Sequence, residues 1–200
     1  DDLHDAGALR YHPRCYHRPD DGPTQIWPAM IASVTDLGGL ITGAHRTWLD
    51  PTGLGKAPIE TPRKAMGSLL GNAVRFGPAR DVMAAGEGIE TMLSLRMALP
   101  CMSLMAALSA AHLSAILFPD TLRRLYIARD MDPAGDGAMT TLAERAAAAG
   151  IETIPLSPRL DDFNEDLLAF GLGDLRALVR PQISPDDVGR FLLAAPSGGL

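Results

Sequence analysis

The chain has 200 residues, a formal net charge of −6 and 46% hydrophobic residues, a composition typical of globular proteins. This length is sufficient for one domain or for two small ones. No apolar run approaches the roughly 18 residues that a membrane-spanning helix requires, so we expect no membrane partner.

The N-terminal sequence and the cysteines suggest where the protein is located. The sequence begins Asp1-Asp2-Leu3-His4-Asp5, without a Met or a signal peptide, so we expect a fragment of a longer, cytoplasmic protein. Its two cysteines, Cys15 and Cys101, fit neither a disulfide framework nor a zinc motif. The neighbours His12, Cys15 and His17 are one ligand short of a structural zinc site, and we predict a loop there.

Charge is distributed unevenly along the chain. Residues 37–80 contain six Lys or Arg and two acidic residues, whereas residues 81–200 contain nine Lys or Arg and sixteen Asp or Glu. A local basic patch can bind phosphate groups even when the whole chain is acidic. An anion-binding surface within 37–80 and a merely solvated one are both compatible with this pattern.

Residues 1–80 are predicted to form a small, mainly β module. Segments 29–34 and 40–49 have the pattern of two strands, and the turn sequence Asp36-Leu37-Gly38-Gly39 between them predicts a hairpin. A further short strand is predicted over 74–76. Pro78 and the change in charge place the module's boundary near residue 80.

Residues 81–180 alternate between short apolar strands and helices. Strands are predicted over 81–85, 101–108, 124–128 and 152–156, and helices over 89–99, 110–118, 138–149, 162–170 and 172–179. Residues 181–200 are predicted to hold a last helix over 184–195 and a tail. This alternation predicts an α/β fold in which a parallel sheet is flanked by helices.

Acidic residues follow three of the predicted strands. Glu87 follows the first, Asp130 and Asp132 follow the third, and Asp161-Asp162 follows the fourth. Because the carboxyl ends of parallel strands lie at one edge of a sheet, these side chains are predicted to converge. Carboxylates in one place repel each other unless a cation is bound, and Mg²⁺ favours such oxygen ligands.

Each acidic position also has a purely structural interpretation. Asp130 is compatible with a turn or a helix N-cap, Asp161-Asp162 with the cap of the next helix, and Asp136 with a turn before the helix. Taken singly, each position favours the structural interpretation. Three such positions in one βα domain favour a shared metal site.

The acidic segments resemble those of a known family. Gly86-Glu87-Gly88-Ile89-Glu90-Thr91, followed by Asp130-Met131-Asp132-Pro133-Ala134-Gly135, is similar to the Toprim domain of bacterial primases, topoisomerases and some nucleases. That family pairs an E-G motif after its first strand with D-x-D-x-x-G after a later one. The sequence D-D-F-N-E-D-L at 161–167 resembles the third acidic motif of the primase branch. Many Toprim sequences have an acidic residue where this chain has Thr91.

The resemblance covers residues 80–170 well and 8–80 more loosely, through segments 9–13, 45–47 and 62–64. The layout is similar to primase-like proteins of plasmids, phages and integrative elements. The resemblance implies that Asp130, Asp132 and Asp162 hold Mg²⁺ or Mn²⁺ and that Glu87 is a ligand or a general acid or base. Gly88 and Gly135 would let a phosphate approach the backbone. The candidates for contacts with template or triphosphate are Arg46, Arg63 and Lys64.

The resemblance therefore implies a primase-type nucleotidyltransferase that makes short primers on a single-stranded DNA template from NTPs. A helicase or an upstream zinc-binding domain would be its partner. A Toprim metal-dependent nuclease would use the same carboxylates. A non-catalytic nucleic-acid-binding module and a metal-dependent phosphatase or receiver-like domain are further alternatives.

Overall fold

The computed structural model describes residues 7–192, and the chain divides into two units, residues 1–69 and 70–200. The first unit is a four-stranded antiparallel sheet in the order β1-β2-β3-β4. Its strands are β1 (Leu9–His17), β2 (Gln25–Thr35), β3 (Ile41–Trp48) and β4 (Arg63–Gly67).

The predicted hairpin is confirmed as β2 and β3. Its turn is closed by Asp36, whose Oδ1 accepts from the Leu40 amide at 2.9 Å, and by Gly39, whose φ of +84° few side chains tolerate. The loop predicted around His12, Cys15 and His17 is wrong, because this segment belongs to strand β1, which is extended as far as His17. Pro13 is tolerated there because β1 is an edge strand with a register shift between His12 and Cys15.

The second unit is built on a five-stranded sheet in the order β5-β7-β6-β8-β9. The strands are β5 (Val74–Phe76), β6 (Val82–Gly86), β7 (Ser103–Ala106), β8 (Arg124–Ala128) and β9 (Glu152–Leu156). Strands β6 to β9 are parallel, and β5 joins the edge antiparallel to β7. The predicted α/β class with a parallel sheet is therefore confirmed, with one antiparallel strand added.

Helices cover this sheet on both faces. They are α1 (Ile89–Ala98), α2 (Ala110–Ala115), α3 (Pro133–Ala148), α4 (Phe163–Val179) and α5 (Pro185–Phe191), with a 3₁₀ turn at Arg180–Gln182. Helices α2 and α3 pack together over a core that contains Met83, Leu125 and Leu142. Helix α1 packs with α4 and lies against Gly86, where an added Cβ would be 2.5 Å from Met92 Sδ. None of the helices within residues 7–192 is long and apolar enough to span a bilayer.

The boundary between the units differs from the one predicted near residue 80. Residues 74–76 form strand β5 of the second sheet, in register with β7 (Val74 opposite Ala106 and Phe76 opposite Leu104). The division therefore lies between Leu69 and Leu70. Pairing with a strand some thirty residues ahead decides where this segment belongs, and local composition does not reveal such a pairing.

Helix α3 begins earlier than predicted, and helix α4 joins two predicted helices into one. Helix α3 begins at Pro133, five residues before the predicted start, because Asp132 is its N-cap and Pro is well suited to the first helical position. The two predicted helices over 162–179 are one element, α4, with a kink at Gly171 (φ +81°). The predicted helix over 184–195 is confirmed as α5 from Pro185 to Phe191, and residues 193–195 lie outside the described range.

Helix α5 is attached to the amino-terminal end of the sheet by a buried polar network. Asp187 is fully buried, and its Oδ2 accepts from Arg124 Nη1 at 2.7 Å and from the Tyr126 hydroxyl at 2.8 Å. Burial and this hydrogen bond raise the pKa of Tyr126. Arg190 of α5 also pairs with Asp81.

Candidate active site

The carboxyl ends of three adjacent strands bring the predicted acidic residues together. In the sheet order, β6, β8 and β9 are neighbours, and Glu87, Asp130 and Asp162 lie in the segments that follow them. The segments after β8 and β9 are joined by a hydrogen bond of 2.9 Å from the Met131 amide to the Asp161 carbonyl. The acidic residues therefore lie at one edge of the sheet, as the carboxyl ends of parallel strands predicted.

Asp130 is the electrostatic centre of this group. Its pKa is raised to about 6, first by burial and then by the negative charges of Glu87, Asp162 and Asp132. Its Oδ1 atom is buried and has no hydrogen-bond partner within residues 7–192. A buried carboxylate oxygen without a donor, surrounded by three further acids, is costly unless a cation or proton is supplied.

Asp132 and Asp162 each have a structural role as well. Asp132 caps α3 by accepting from the Gly135 amide at 2.7 Å, and Asp162 caps α4 by accepting from the Glu165 amide at 2.8 Å. Each cap uses Oδ1 only. A carboxylate has a second oxygen and further lone pairs, so capping and metal binding by the same residue are compatible.

Asp130 caps no helix. The capping interpretation therefore holds for Asp162, the cap of α3 is Asp132 and not Asp130, and the Asp130 side chain caps neither helix. Asp161 contributes its backbone carbonyl, while its side chain is exposed. Asp136 lies in the first turn of α3 and accepts a hydrogen bond from Arg129 Nε. The guanidinium of Arg129 is thereby directed to Asp136.

Two backbone features shape the turns that carry the acids. A Cβ added at Gly135 would lie 2.6 Å from the Asp130 carbonyl oxygen, so only glycine allows α3 to begin this close to Asp130. Leu108, after β7, has φ +79°, and its amide donates to the Glu87 carbonyl at 2.8 Å. A non-glycine residue in this conformation carries strain, which is common where a backbone positions a functional group.

The donor set suits a divalent cation that also has non-protein ligands. Within residues 7–192, no three Asp, Glu, His or Cys side chains are arranged to bind one metal ion by themselves. Mg²⁺ usually takes one or two carboxylates and completes its shell with waters and phosphate oxygens. The unpaired Oδ1 of Asp130 fits that mode, whereas the full four-carboxylate set Glu87, Asp130, Asp132 and Asp162 stays a prediction.

The three basic candidates of the first unit do not share one surface. Arg46 on β3 is directly opposite Lys64 on β4, and opposite residues of an antiparallel pair point to the same face. Arg63 is opposite Thr47 and therefore points to the other face. Arg46 and Lys64 form one basic surface, and any role of Arg63 in binding is a separate prediction.

The sequence of the second unit matches one family over nearly all of its sheet. The matching profile is described as the Toprim domain and covers residues 82–172, which contain Glu87, Asp130, Asp132 and Asp162. Residues 82–172 form a Toprim domain. Residues 2–76 match a second profile, described as a domain of unknown function, DUF7146. No curated protein sequence matches the chain.

Solved primase structures have a similar fold. The primase fragment of the bacteriophage T7 primase-helicase superposes with a TM-score of 0.57 at 16% identity, over 86% of this chain and 67% of that chain. The Aquifex aeolicus primase, with zinc-binding and RNA polymerase domains, gives 0.54 at 16%, over 84% and 44%. The E. coli primase catalytic core gives 0.51 at 14%, over 94% and 67%. This chain therefore spans between 44% and 67% of these primase chains.

The Toprim domain also contains positioning residues that the sequence did not reveal. Thr91, where many Toprim sequences have an acid, is buried and its Oγ1 lies 3.3 Å from Asp162 Oδ2. Ser94 contacts Asn164 in the same way, at 3.3 Å. These pairs join α1 to the start of α4. Their spacing of one helical turn, on the face of α1 that follows Glu87, was the available signal.

Proposed function

We propose that the chain is the catalytic part of a primase-type nucleotidyltransferase that makes short primers on single-stranded DNA with Mg²⁺ or Mn²⁺. It would act in the cytoplasm during replication of a plasmid, phage or other mobile element. The observation that carries the proposal is Asp130. Its carboxylate lies at the carboxyl edge of a Toprim sheet, with an unpaired buried oxygen and three acids around it.

The residues would divide the chemistry as follows. Asp130 and Asp132 would hold the metal, with Asp162 and Glu87 completing or orienting the site. A bound divalent cation supplies charge neutralisation for the triphosphate and acidifies the attacking 3′ hydroxyl. Glu87 would accept the proton of that hydroxyl. The backbone of Glu87 is held in place by the hydrogen bond from the Leu108 amide. Nucleotide phosphates would supply the remaining oxygens that the carboxylates leave open.

The two glycines that were predicted to let a phosphate approach the backbone, Gly135 and Gly88, support the same proposal. Gly135 already permits the close contact between α3 and Asp130, and it lies in the first turn of α3, whose amides attract anions. Gly88 is the N-cap of α1 and no side chain caps this helix, so a phosphate bound at this helix N-terminus would take the place of a capping side chain. Both positions flank the acidic residues that would bind the cation.

The partners proposed for this chain are single-stranded DNA, NTPs and a further domain or protein. The T7 fragment comes from a primase-helicase, and the Aquifex primase carries a zinc-binding domain. We propose a similar arrangement here, with a zinc-binding domain upstream or a helicase as partner. The basic surface of Arg46 and Lys64 would contact the template or the triphosphate.

A template-dependent incorporation assay with labelled NTPs and Mg²⁺ or Mn²⁺ tests the proposal. We expect primer synthesis by the wild-type chain and none by the double variant Asp130→Ala, Asp132→Ala. Asp174→Asn, an exposed acid on α4, is the matched control and should retain activity. Incorporation that survives the double substitution contradicts the proposed site. A parallel plasmid-nicking assay identifies the nuclease alternative, which predicts nicking without incorporation.

A further inference from the structure

Two buried hydroxyls lie where helices α1 and α4 meet at the carboxyl edge of the Toprim sheet. Helix α1 begins two residues after Glu87, helix α4 begins directly after Asp162, and the two helices pack together. Thr91 and Ser94 of α1 are each only 2% exposed. Because residues three apart share one face of a helix, both hydroxyls face the start of α4. Buried hydroxyls require hydrogen-bond partners, and these partners indicate the role of each.

The two hydroxyls have different partners. Ser94 Oγ donates to the Glu90 carbonyl of its own helix at 3.0 Å and lies 3.3 Å from Asn164 Oδ1. Thr91 Oγ1 lies 3.3 Å from Asp162 Oδ2. An ionised carboxylate only accepts hydrogen bonds, so the Thr91 hydroxyl is the donor. Thr91 therefore acts on a proposed cation-binding residue, whereas Ser94 acts on a backbone carbonyl and an uncharged amide.

The carboxylate of Asp162 is held through both of its oxygens. Oδ1 accepts from the Glu165 amide at 2.8 Å, and Oδ2 accepts from the Thr91 hydroxyl. These donors belong to different helices, so the carboxylate cannot rotate without losing one of the two hydrogen bonds. The preceding carbonyl, that of Asp161, accepts from the Met131 amide at 2.9 Å. The orientation of the Asp162 carboxylate is therefore determined by α1 as well as by α4.

Gly88 leaves the space that the Thr91 hydroxyl occupies. A Cβ added at Gly88 would lie 3.1 Å from Thr91 Oγ1, which is closer than most contacts of a Cβ atom. The backbone of Gly88 is extended, with φ −83° and ψ 143°, so its conformation does not require glycine. A side chain at this position would displace the hydroxyl that holds Asp162.

The charge of Asp162 acts on the site centred at Asp130. After burial and the charge of Glu87, the Asp162 carboxylate is the next cause of the raised pKa of Asp130. Carboxylates at metal sites are usually held by hydrogen bonds from neighbouring residues, and loss of such a bond lowers metal affinity. We propose that Thr91 is a positioning residue of the cation site, whose hydroxyl keeps the Asp162 carboxylate where its charge acts on a cation bound at Asp130. This inference rests on the proposed function, because it assigns a further residue to the same site.

Titration of the full chain with Mn²⁺, followed by electron paramagnetic resonance in the absence of nucleotide, tests this inference without turnover. Thr91→Val keeps the shape of the side chain and removes its hydroxyl, and should weaken Mn²⁺ binding by about 10- to 100-fold. Thr91→Ser keeps a hydroxyl and should restore the affinity. Ser94→Ala removes the neighbouring hydroxyl from the same helix contact and is the matched control, with Mn²⁺ affinity unchanged. When Asp162→Asn is already present, Thr91→Val should cause no further loss, because the two residues act as a pair.

The rate of NTP incorporation separates positioning from a general loss of structure. Thr91→Val should require about 10- to 100-fold more Mg²⁺ for its half-maximal rate and should reach the wild-type rate at saturating Mg²⁺. Unchanged Mn²⁺ affinity in Thr91→Val overturns the inference, as does an equal loss in Ser94→Ala. Absence of Mn²⁺ binding by the wild-type chain overturns it as well, whatever the rate of incorporation.

The positioning role and the proposed function can fail separately. If Thr91→Val weakens Mn²⁺ binding but the wild-type chain incorporates no NTP, the positioning role stands and the primase activity fails. If the wild-type chain incorporates NTP and Thr91→Val binds Mn²⁺ normally, the primase activity stands and the positioning role fails.

Discussion

Replacing Asp130 by Asn should make the metal-free protein more stable at neutral and alkaline pH. The pKa of Asp130 is about 6 in the folded chain, raised by burial and by the charges of Glu87, Asp162 and Asp132 from the ordinary value of 3.8. An acid with a raised folded-state pKa binds more protons folded than unfolded between these two values. Its ionisation therefore costs no stability below about pH 4 and the full amount above about pH 6.

The magnitude follows from the size of the shift. A change of roughly two pKa units corresponds to ~3 kcal/mol. Asp130 is only partly buried, so solvent screening reduces the expected effect to about 1–2 kcal/mol. Asn keeps the shape of the side chain and removes the charge. The gain in the free energy of unfolding should therefore be about 1–2 kcal/mol near pH 8 and close to zero near pH 4.

Urea unfolding of wild type and Asp130→Asn at both pH values, in the presence of EDTA, measures this difference. Asp174→Asn carries the same charge change on an exposed part of α4 and should alter stability by less than about 0.5 kcal/mol at either pH. Adding Mg²⁺ should stabilise the wild type and have less effect on Asp130→Asn. An Asp130→Asn protein that is less stable than wild type near pH 8 without metal would refute the reasoning, because Asp130 would then be held by a favourable contact.

Five further substitutions, at four positions, separate structural roles from catalytic ones. Asp132→Ala removes the cap of α3 and should lower the free energy of unfolding by about 1 kcal/mol, measured by thermal unfolding. Asp132→Asn keeps the cap and should lose only Mn²⁺ affinity in a binding titration. Equal stability of the two variants would contradict the capping role. Gly135→Ala should cost about 1–3 kcal/mol in urea unfolding, since its Cβ would lie 2.6 Å from the Asp130 carbonyl. Gly137→Ala, with open space around the added Cβ in the same helix, should instead stabilise by about 0.5–1 kcal/mol. Asp187→Ala leaves Arg124 and Tyr126 without their buried partner and should lower the free energy of unfolding by about 2–4 kcal/mol. NTP incorporation should be retained at low temperature. A loss of stability below about 0.5 kcal/mol would contradict the role of this network.

The Toprim sheet was predictable from sequence because its signals are local. Strands β8 and β9 have the bounds predicted for them, 124–128 and 152–156, since buried parallel strands are short apolar runs between turn residues. The convergence of Glu87, Asp130 and Asp162 followed from the common edge of parallel strands. The start of α3 was missed because the D-x-D-P segment predicts a turn as well as a capped helix.

The features missed in the first unit depend on pairing between distant segments. Whether Arg46, Arg63 and Lys64 act together is decided by the register of β3 on β4, which adjacency in sequence does not determine. The hydrogen bond from Lys64 to the Arg18 carbonyl joins residues 46 positions apart, and the sequence pattern does not predict it. The placement of Val74–Phe76 in the second sheet is a pairing of the same non-local kind.

Anomalous diffraction from a Mn²⁺-soaked crystal of the chain with a bound nucleotide tests the central claim most directly. The account predicts an anomalous peak beside the buried Oδ1 of Asp130, at roughly 2.0–2.2 Å and within reach of Asp132, with phosphate oxygens completing the coordination shell. The peak should be absent in Asp130→Asn. A nucleotide-bound crystal that shows Mn²⁺ elsewhere, and none at the carboxyl ends of β6, β8 and β9, would contradict it.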